Sequence, residues 1–316
     1  MTPSSTRRSR RLAAAGAIVA AGTLLLGACG DQTDDAGDGD SSGTGASEEP
    51  AGADAPLFDL LPADIQRAGE INVGSDIAYP PIEYRDEDDR ITGIDPAIGA
   101  ALGEVLGVEF TFENGTFAGL ILGMNNGRHD IVMSAMTDTR ERQQGASEDA
   151  EGGADFVNYF RAGSALLVPA GNPEGIETLD DLCGRTVAAQ QGTANADLVA
   201  AQQEECDDPI EPLISEVDTD SITALQTGRA AAVVTDYPVA LYNAREAGGG
   251  DLFEVAGDQI DAAPYGIAVP TGETELRDAL QAALQEIIDN GTYADILAEW
   301  DAEAGAVEEA TINAGG

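Results

Sequence analysis

Two short segments carry the polar side chains best placed to do chemistry. The first, 134–142, follows the apolar run 131–133 and ends on Arg142, whose planar donor fork matches the two oxygens of a carboxylate. The second is the pair Thr235 and Asp236, directly after the apolar run 231–234. In open α/β sheets ligands bind beyond the carboxyl ends of strands, so polar residues that close an apolar run mark the places to look. The segments are also echoes of each other. Met124-Asn-Asn-Gly-Arg-His-Asp-Ile-Val-Met-Ser134 runs parallel to Leu225-Gln-Thr-Gly-Arg-Ala-Ala-Ala-Val-Val-Thr235. Each reads as a helix end, a glycine suited to the position after it, an apolar strand, then polar residues. Two similar halves facing each other make a cleft.

Composition removes several chemistries. The chain has no lysine, which excludes a Schiff-base lysine and a Walker-type phosphate loop. Its single histidine, His129, excludes multi-histidine zinc sites and leaves one candidate for a Ser-His-Asp arrangement. At the start of an apolar run it reads as structural. No metal and no cofactor is expected. Fifteen basic residues against 58 acidic ones give a net charge of −43. Such a surface repels nucleic acid and anionic lipid headgroups. Solubility accounts for that charge, with electrostatic capture of a cationic solute as the sharper alternative.

Residues 1–28 read as an export signal: Arg7, Arg8, Arg10 and Arg11, then an apolar stretch over 12–26, then small residues. The end, Leu25-Leu26-Gly27-Ala28-Cys29, resembles the lipobox of bacterial lipoproteins. That resemblance implies a diacylated, palmitate-bearing Cys29 as the new N-terminus, anchored in the cell membrane on its extracytoplasmic face. Residues 29–56 are mostly Asp, Gly, Ser, Ala and Glu and read as a disordered tether. The remaining cysteines, Cys183 and Cys206, suggest one disulfide in an oxidising compartment, worth roughly 3 kcal/mol. A free or redox-active pair is the alternative.

The elements that must position these residues alternate between strand and helix patterns from Leu57 on. The strand patterns lie at 71–75, 108–113, 130–134, 165–168, 186–189, 213–216, 231–235 and 265–269. Helical patterns lie at 96–106, 117–126, 194–203, 221–227, 238–246, 273–289 and 292–300. The acidic, glycine-rich stretch 143–155 reads as a surface loop. This alternation argues an α/β fold with mostly parallel sheets.

Several motifs in order resemble those of the polar amino-acid-binding proteins of ABC importers, solute-binding protein family 3. They are Gly74-Ser-Asp-Ile-Ala-Tyr-Pro-Pro-Ile-Glu-Tyr84, Gly93-Ile-Asp-Pro96, Phe117-Ala-Gly-Leu-Ile121 and Ser134-Ala-Met-Thr-Asp-Thr-Arg-Glu-Arg142. Leu179-Asp-Asp-Leu182, Ala189-Gln-Gln-Gly-Thr193, Thr235-Asp-Tyr-Pro238, Pro264-Tyr-Gly-Ile-Ala-Val269 and Asn290-Gly-Thr-Tyr293 follow. The resemblance covers 71 to about 300. It implies a periplasmic-binding-protein-like fold, two α/β lobes joined by two hinge strands with the ligand in the interlobe cleft. Lobe 1 is expected at 57–163 plus 264–310 and lobe 2 at 164–263. The hinge strands are expected near 164–168 and 263–269, with a tail at 311–316.

The same resemblance implies roles. Arg142 matches the arginine that grips the ligand's α-carboxylate, and Asp236 the aspartate that receives its α-ammonium; helix N-capping is the alternative for Asp236. Thr137 and the backbone of Ala135 match positions that bond either end of the zwitterion. Thr193 matches a residue at a helix N-terminus, where free amides favour an anion. Tyr79 and Phe117 match aromatics that sandwich the ligand's side chain, with core packing as their alternative; Ile82 stands where the family usually has an aromatic. Asp76 and Gln190 match contacts to the ligand's side chain, and an aspartate there tilts the preference toward a basic or amide amino acid. The implied partners are an amino acid, a membrane permease and a separate ATPase, with the body a monomer and not an enzyme. Two rivals share the fold, a periplasmic dehydratase of prephenate-like acids and a ligand sensor.

Overall fold

The computed structural model describes residues 52–145 and 152–316. The leader, Cys29, the tether as far as residue 51, and positions 146–151 of the acidic loop lie outside the described residues.

Helix α1 (Ala63–Ala68) enters strand β1 (Glu70–Ser75) through Gly69, whose φ of 71° ends the helix in the left-handed conformation that a side chain disfavours. A small ribbon follows, β2 (Tyr84–Arg85) with β3 (Ile91–Thr92), then α2 (Ile94–Leu106) and β4 (Glu109–Asn114). Helix α3 (Leu120–Asn125), β5 (Ile131–Val132) and the short α4 (Arg140–Gln144) complete the first run. Strand β6 (Ala154–Pro169) leads into β7 (Thr186–Gln190), α5 (Ala194–Glu205), β8 (Glu211–Ser215), α6 (Asp218–Gln226), β9 (Ala232–Asp236) and α7 (Tyr237–Glu246). Strand β10 (Phe253–Pro270) returns, and α8 (Thr274–Asp289), α9 (Thr292–Glu299) and β11 (Thr311–Ile312) close the chain.

Each half has its own parallel core sheet. Strand β1 lies between β4 and β5, and β7 lies between β8 and β9. The long strands β6 and β10 run antiparallel to each other and join the halves. Ala268 of β10 faces Val132 of β5, while 164–167 of β6 face β9. Two α/β lobes linked by two crossing strands result. The crossing strands are longer than the expected 164–168 and 263–269. Their register shifts between Ala256 and Ile260, Ile260 and Ala263, and Tyr265 and Gly266, so the polar stretch after Gly257 stays within the ladder rather than ending it.

Burial explains the parallel strands. Val187 and Val234 sit in one apolar layer, while their neighbours Ala188 and Val233 sit in the other. Alternate side chains point to opposite faces, and both faces are covered, so the strands read as continuous apolar runs. In the first half Ile98, Leu102 and Leu106 of α2 pack with Leu280, Leu284 and Ile287 of α8 over Ile71 and Val73. Each such side chain contributes about 1.5–3 kcal/mol on burial. Cys183 and Cys206 form a disulfide, Cα–Cα 5.5 Å, that ties the turn before β7 to the end of α5.

Packing extends past two of the expected boundaries. Ala55, near the end of the stretch read as a tether, packs against the core, as does Leu57, the first residue expected in lobe 1, whose N–H donates to Val105 O at 3.0 Å. The segment read as a tail, 311–316, contains β11, which pairs with Asn158 and Val157 of β6.

Candidate functional site

The carboxyl ends of β1, β5, β7 and β9 converge, and the polar residues that follow them meet there. One cavity is lined by Asp76, Tyr79, Glu83, Phe117, Ser134, Ala135, Thr137, Gln190, Thr193, Ala194, Asn195 and Asp236. Eight of the nine residues expected to touch a ligand are among them. The ninth, Arg142, lies just behind. It donates to Thr137 O at 2.6 Å and to Gly192 O at 2.9 Å, and its guanidinium lies 5.3 Å from the centre of the Phe117 ring.

Polar groups span the cleft. Tyr79 Oη lies 3.1 Å from Thr235 Oγ1 and accepts the Asp236 N–H at 3.2 Å. Gln190 Nε2 donates to Asp76 Oδ2 at 2.5 Å and to Glu216 O at 3.0 Å. Gly192 permits the approach of the second wall. Its φ is 74°, and a Cβ there would stand 2.9 Å from that of Ala118.

Several ambiguities of the sequence are resolved by geometry. Asp236 precedes α7 but makes no cap bond; its Oδ1 accepts from Asn195 Nδ2 at 2.9 Å. Thr193 caps α5, accepting the Ala196 N–H at 3.1 Å, while its hydroxyl donates to Gln190 O. Ala135 holds a positive φ of 44°, uncommon for a residue with a side chain, at the turn where the chain leaves β5. Its N–H donates to Asp95 Oδ2 at 3.0 Å. Tyr79 is buried in the core and also lines the cavity. His129 lies outside the cavity, under Gly74, with Nδ1 3.6 Å from Glu113.

Three polar residues of the wall carry no family role in the sequence reading. Ser134 donates to Glu83 Oε1 at 2.6 Å and accepts the Asp76 N–H. Glu83 is fully buried, and its Oε2 has no hydrogen-bond partner among the described residues. Asn195 orients Asp236. Their signals were present in the sequence, a glutamate inside the first motif and an asparagine two residues after the helix cap, but neither states which way the side chain turns.

Buried carboxyls dominate the electrostatics. Burial pushes Asp76 up to about 6, opposed by the Gln190 hydrogen bond. Burial lifts Asp95 and Asp218 to about 7, and raises Glu83 and Asp236 as well. Burial lowers Arg142, with the nearby Asp197 and Asp236 opposing that shift. Of these carboxyls, Asp76, Glu83 and Asp236 line the cavity, whereas Asp95 and Asp218 are buried outside its lining.

The fold and site define a two-lobed binding protein with a polar interlobe cleft. The sequence model of the bacterial extracellular solute-binding proteins, family 3, matches residues 71–303, and the chain belongs to that family. The arginine-binding protein ArgT of Corynebacterium glutamicum is 33% identical over 259 residues, 80% of this chain and 81% of that protein. Among solved structures, an ancestral arginine-binding protein bound to arginine superposes with a TM-score of 0.67 at 31% identity, over 73% of this chain and 98% of its own. An ancestral amino acid-binding protein, AncCDT-1, a precursor of cyclohexadienyl dehydratase, superposes with a TM-score of 0.66 at 31% identity, over 75% and 97%.

Proposed function

We propose that this protein captures a basic amino acid, arginine foremost, outside the cytoplasm and delivers it to the permease of an ABC importer. The observation that carries the choice of ligand is a cavity lined by three carboxyls, Asp76, Glu83 and Asp236, and by no cationic side chain. The α-ammonium goes to Asp236 and the carbonyl of Ala135, the α-carboxylate to Thr137, the amides that open α5 and the fork of Arg142. The cationic side chain lies between Tyr79 and Phe117 and ends at Asp76 and Gln190.

When the lobes part, the bonds of Arg142 to Gly192 and of Gln190 to Asp76 break. This frees the fork and one carboxylate for the ligand. Closure then removes water from these ion pairs and strengthens them. Export by the leader and acylation at Cys29 keep the body beside its permease, and an ATPase on the other side supplies the energy. Lobe 1 is taken as 57–163 plus 264–310, with Ala55 and β11 packed against it, and lobe 2 as 164–263.

Calorimetric titration of residues 52–316, refolded to strip carried solute, tests this reading. Arginine is expected to bind tightly, lysine less so, and glutamate not at all. Preference for glutamate overturns it. A second reading has one observation in its favour: Glu83 is a buried, proton-retaining carboxyl at the cavity, the type of group that serves as a general acid. Turnover of prephenate-like acids by the purified protein would establish that dehydratase.

A further inference from the structure

The loop that carries Thr137 and Arg142 is held from behind by a segment distant in sequence. Asp138 sits inside that loop and is 1% exposed. Its Oδ2 accepts from Asn158 Nδ2 at 3.0 Å and from the Gly315 N–H at 2.8 Å, and its Oδ1 accepts from Gln143 Nε2 at 2.7 Å. Gln143 also donates to Gly315 O at 3.3 Å. Segment 311–316 is itself fixed to β6. Asn313 Oδ1 accepts the Phe156 N–H at 2.7 Å, Asn313 Nδ2 donates to Asp155, and Asn158 Oδ1 accepts both the Ala314 N–H and the Thr311 hydroxyl.

A buried carboxylate keeps its place only where its oxygens are met by donors. Asp138 lies beside Thr137, and Arg142 bonds back to the Thr137 carbonyl. Whatever fixes Asp138 and Gln143 therefore fixes the two residues on either side of them in the binding wall. We propose that segment 311–316 is a positioning strap: by joining β6 to Asp138 and Gln143 it holds Thr137 and Arg142 in register for a ligand carboxylate. The inference rests on the carboxylate role proposed above for that loop. Thr311, Asn313 and Gly315 are positioning residues, since none of them lines the cavity.

The test uses residues 52–316 carrying Gly315→Ala or Asn313→Ala. A Cβ at Gly315 would stand 1.9 Å from Asp138 O and push the segment off the loop. Loss of the Asn313 amide removes the segment's side-chain bonds to Phe156 and Asp155 and so loosens its hold on β6 without touching the loop. Arginine and agmatine, the same molecule without its carboxylate, are titrated well below each variant's Tm. The strap predicts at least a tenfold loss of arginine affinity in both variants, with a smaller loss for agmatine. Unchanged arginine affinity with a lowered Tm overturns it, as do equal losses for the two ligands. Arg142→Ala serves as the separate check on the site. If that variant binds arginine as the parent does, the carboxylate reading itself fails; if it loses binding while the strap variants keep it, the strap alone fails.

Discussion

Asp76 is pushed up to about 6 by burial, and the unfolded chain leaves such a carboxyl near 4. Between those values the folded state holds a proton that the unfolded state has lost. Asp95 and Asp218, lifted to about 7, extend the window. With more protons bound in the folded state, the slope of unfolding free energy against pH is negative. Stability without ligand is therefore expected to fall as pH rises from about 4 to about 7. Arginine affinity should move the other way, because a protonated Asp76 offers no charge to a guanidinium. Melting curves and arginine titrations at pH 5 and pH 8 check both signs. Asp76→Asn should cost arginine about 2–5 kcal/mol, the usual loss when one partner of a buried charge pair is removed. It should cost glutamine less, because an amide ligand brings no charge to pair. Equal losses for the two ligands in calorimetry would exclude Asp76 as the cation's partner. The residue types at the site were legible in the sequence, but their bonds were not. Arg142 is paired here with the carbonyls of Thr137 and Gly192, and a backbone carbonyl 50 residues away leaves no mark in local composition.

At the scale of elements, the alternation of apolar runs and helical faces marked nearly every core element, because buried parallel strands are apolar on both faces. The crossing strands were only half visible. The stretch Gly257-Asp-Gln-Ile-Asp-Ala262 has the composition of a turn, and its place in β10 depends on bulged pairing with β6. Strand β11 has two residues, too few for any period, and exists because β6 offers it an edge. The Cys183–Cys206 pair was legible from cysteine count alone, and its effect is local to one lobe. It closes the stretch that holds β7 and α5, hence Gln190 and Thr193, with a sequence separation of 23. Replacing both cysteines by serine is expected to cost about 3 kcal/mol of stability. Urea melts of the variant against the parent measure this, and a loss below about 1 kcal/mol would mean the second lobe needs no such tie. Arginine affinity measured well below the melting point should stay near the parent's, since neither sulfur reaches the cavity.

At the scale of the molecule, contacts outside the cavity also join the two halves. Tyr242 of α7 has its ring 6.2 Å from that of Tyr84, which in turn lies edge-on to Trp300 at 6.4 Å. Beside them Arg245 pairs with Asp301 at 3.0 Å. Tyr84, Trp300 and Asp301 belong to the half that holds β1, whereas Tyr242 and Arg245 follow β9, so the Tyr84–Tyr242 and Arg245–Asp301 contacts run between the two halves. Magnitudes decide between its parts. An aromatic pair contributes about 0.5–1.5 kcal/mol beyond its buried area. An ion pair as exposed as Arg245 and Asp301, whose side chains are 53% and 74% accessible, contributes about 0–1 kcal/mol. A ligand that binds the closed form has its apparent affinity scaled by the population of that form. Tyr242→Ala is therefore expected to weaken arginine binding roughly tenfold although Tyr242 lies outside the cavity, and Arg245→Ala by no more than about threefold. Small-angle scattering should find the ligand-free Tyr242→Ala protein more extended than the parent, and saturating arginine should restore the compact form. An unchanged affinity for Tyr242→Ala would mean that the cavity contacts alone set the closing equilibrium, with the aromatic cluster a passive seam between lobes.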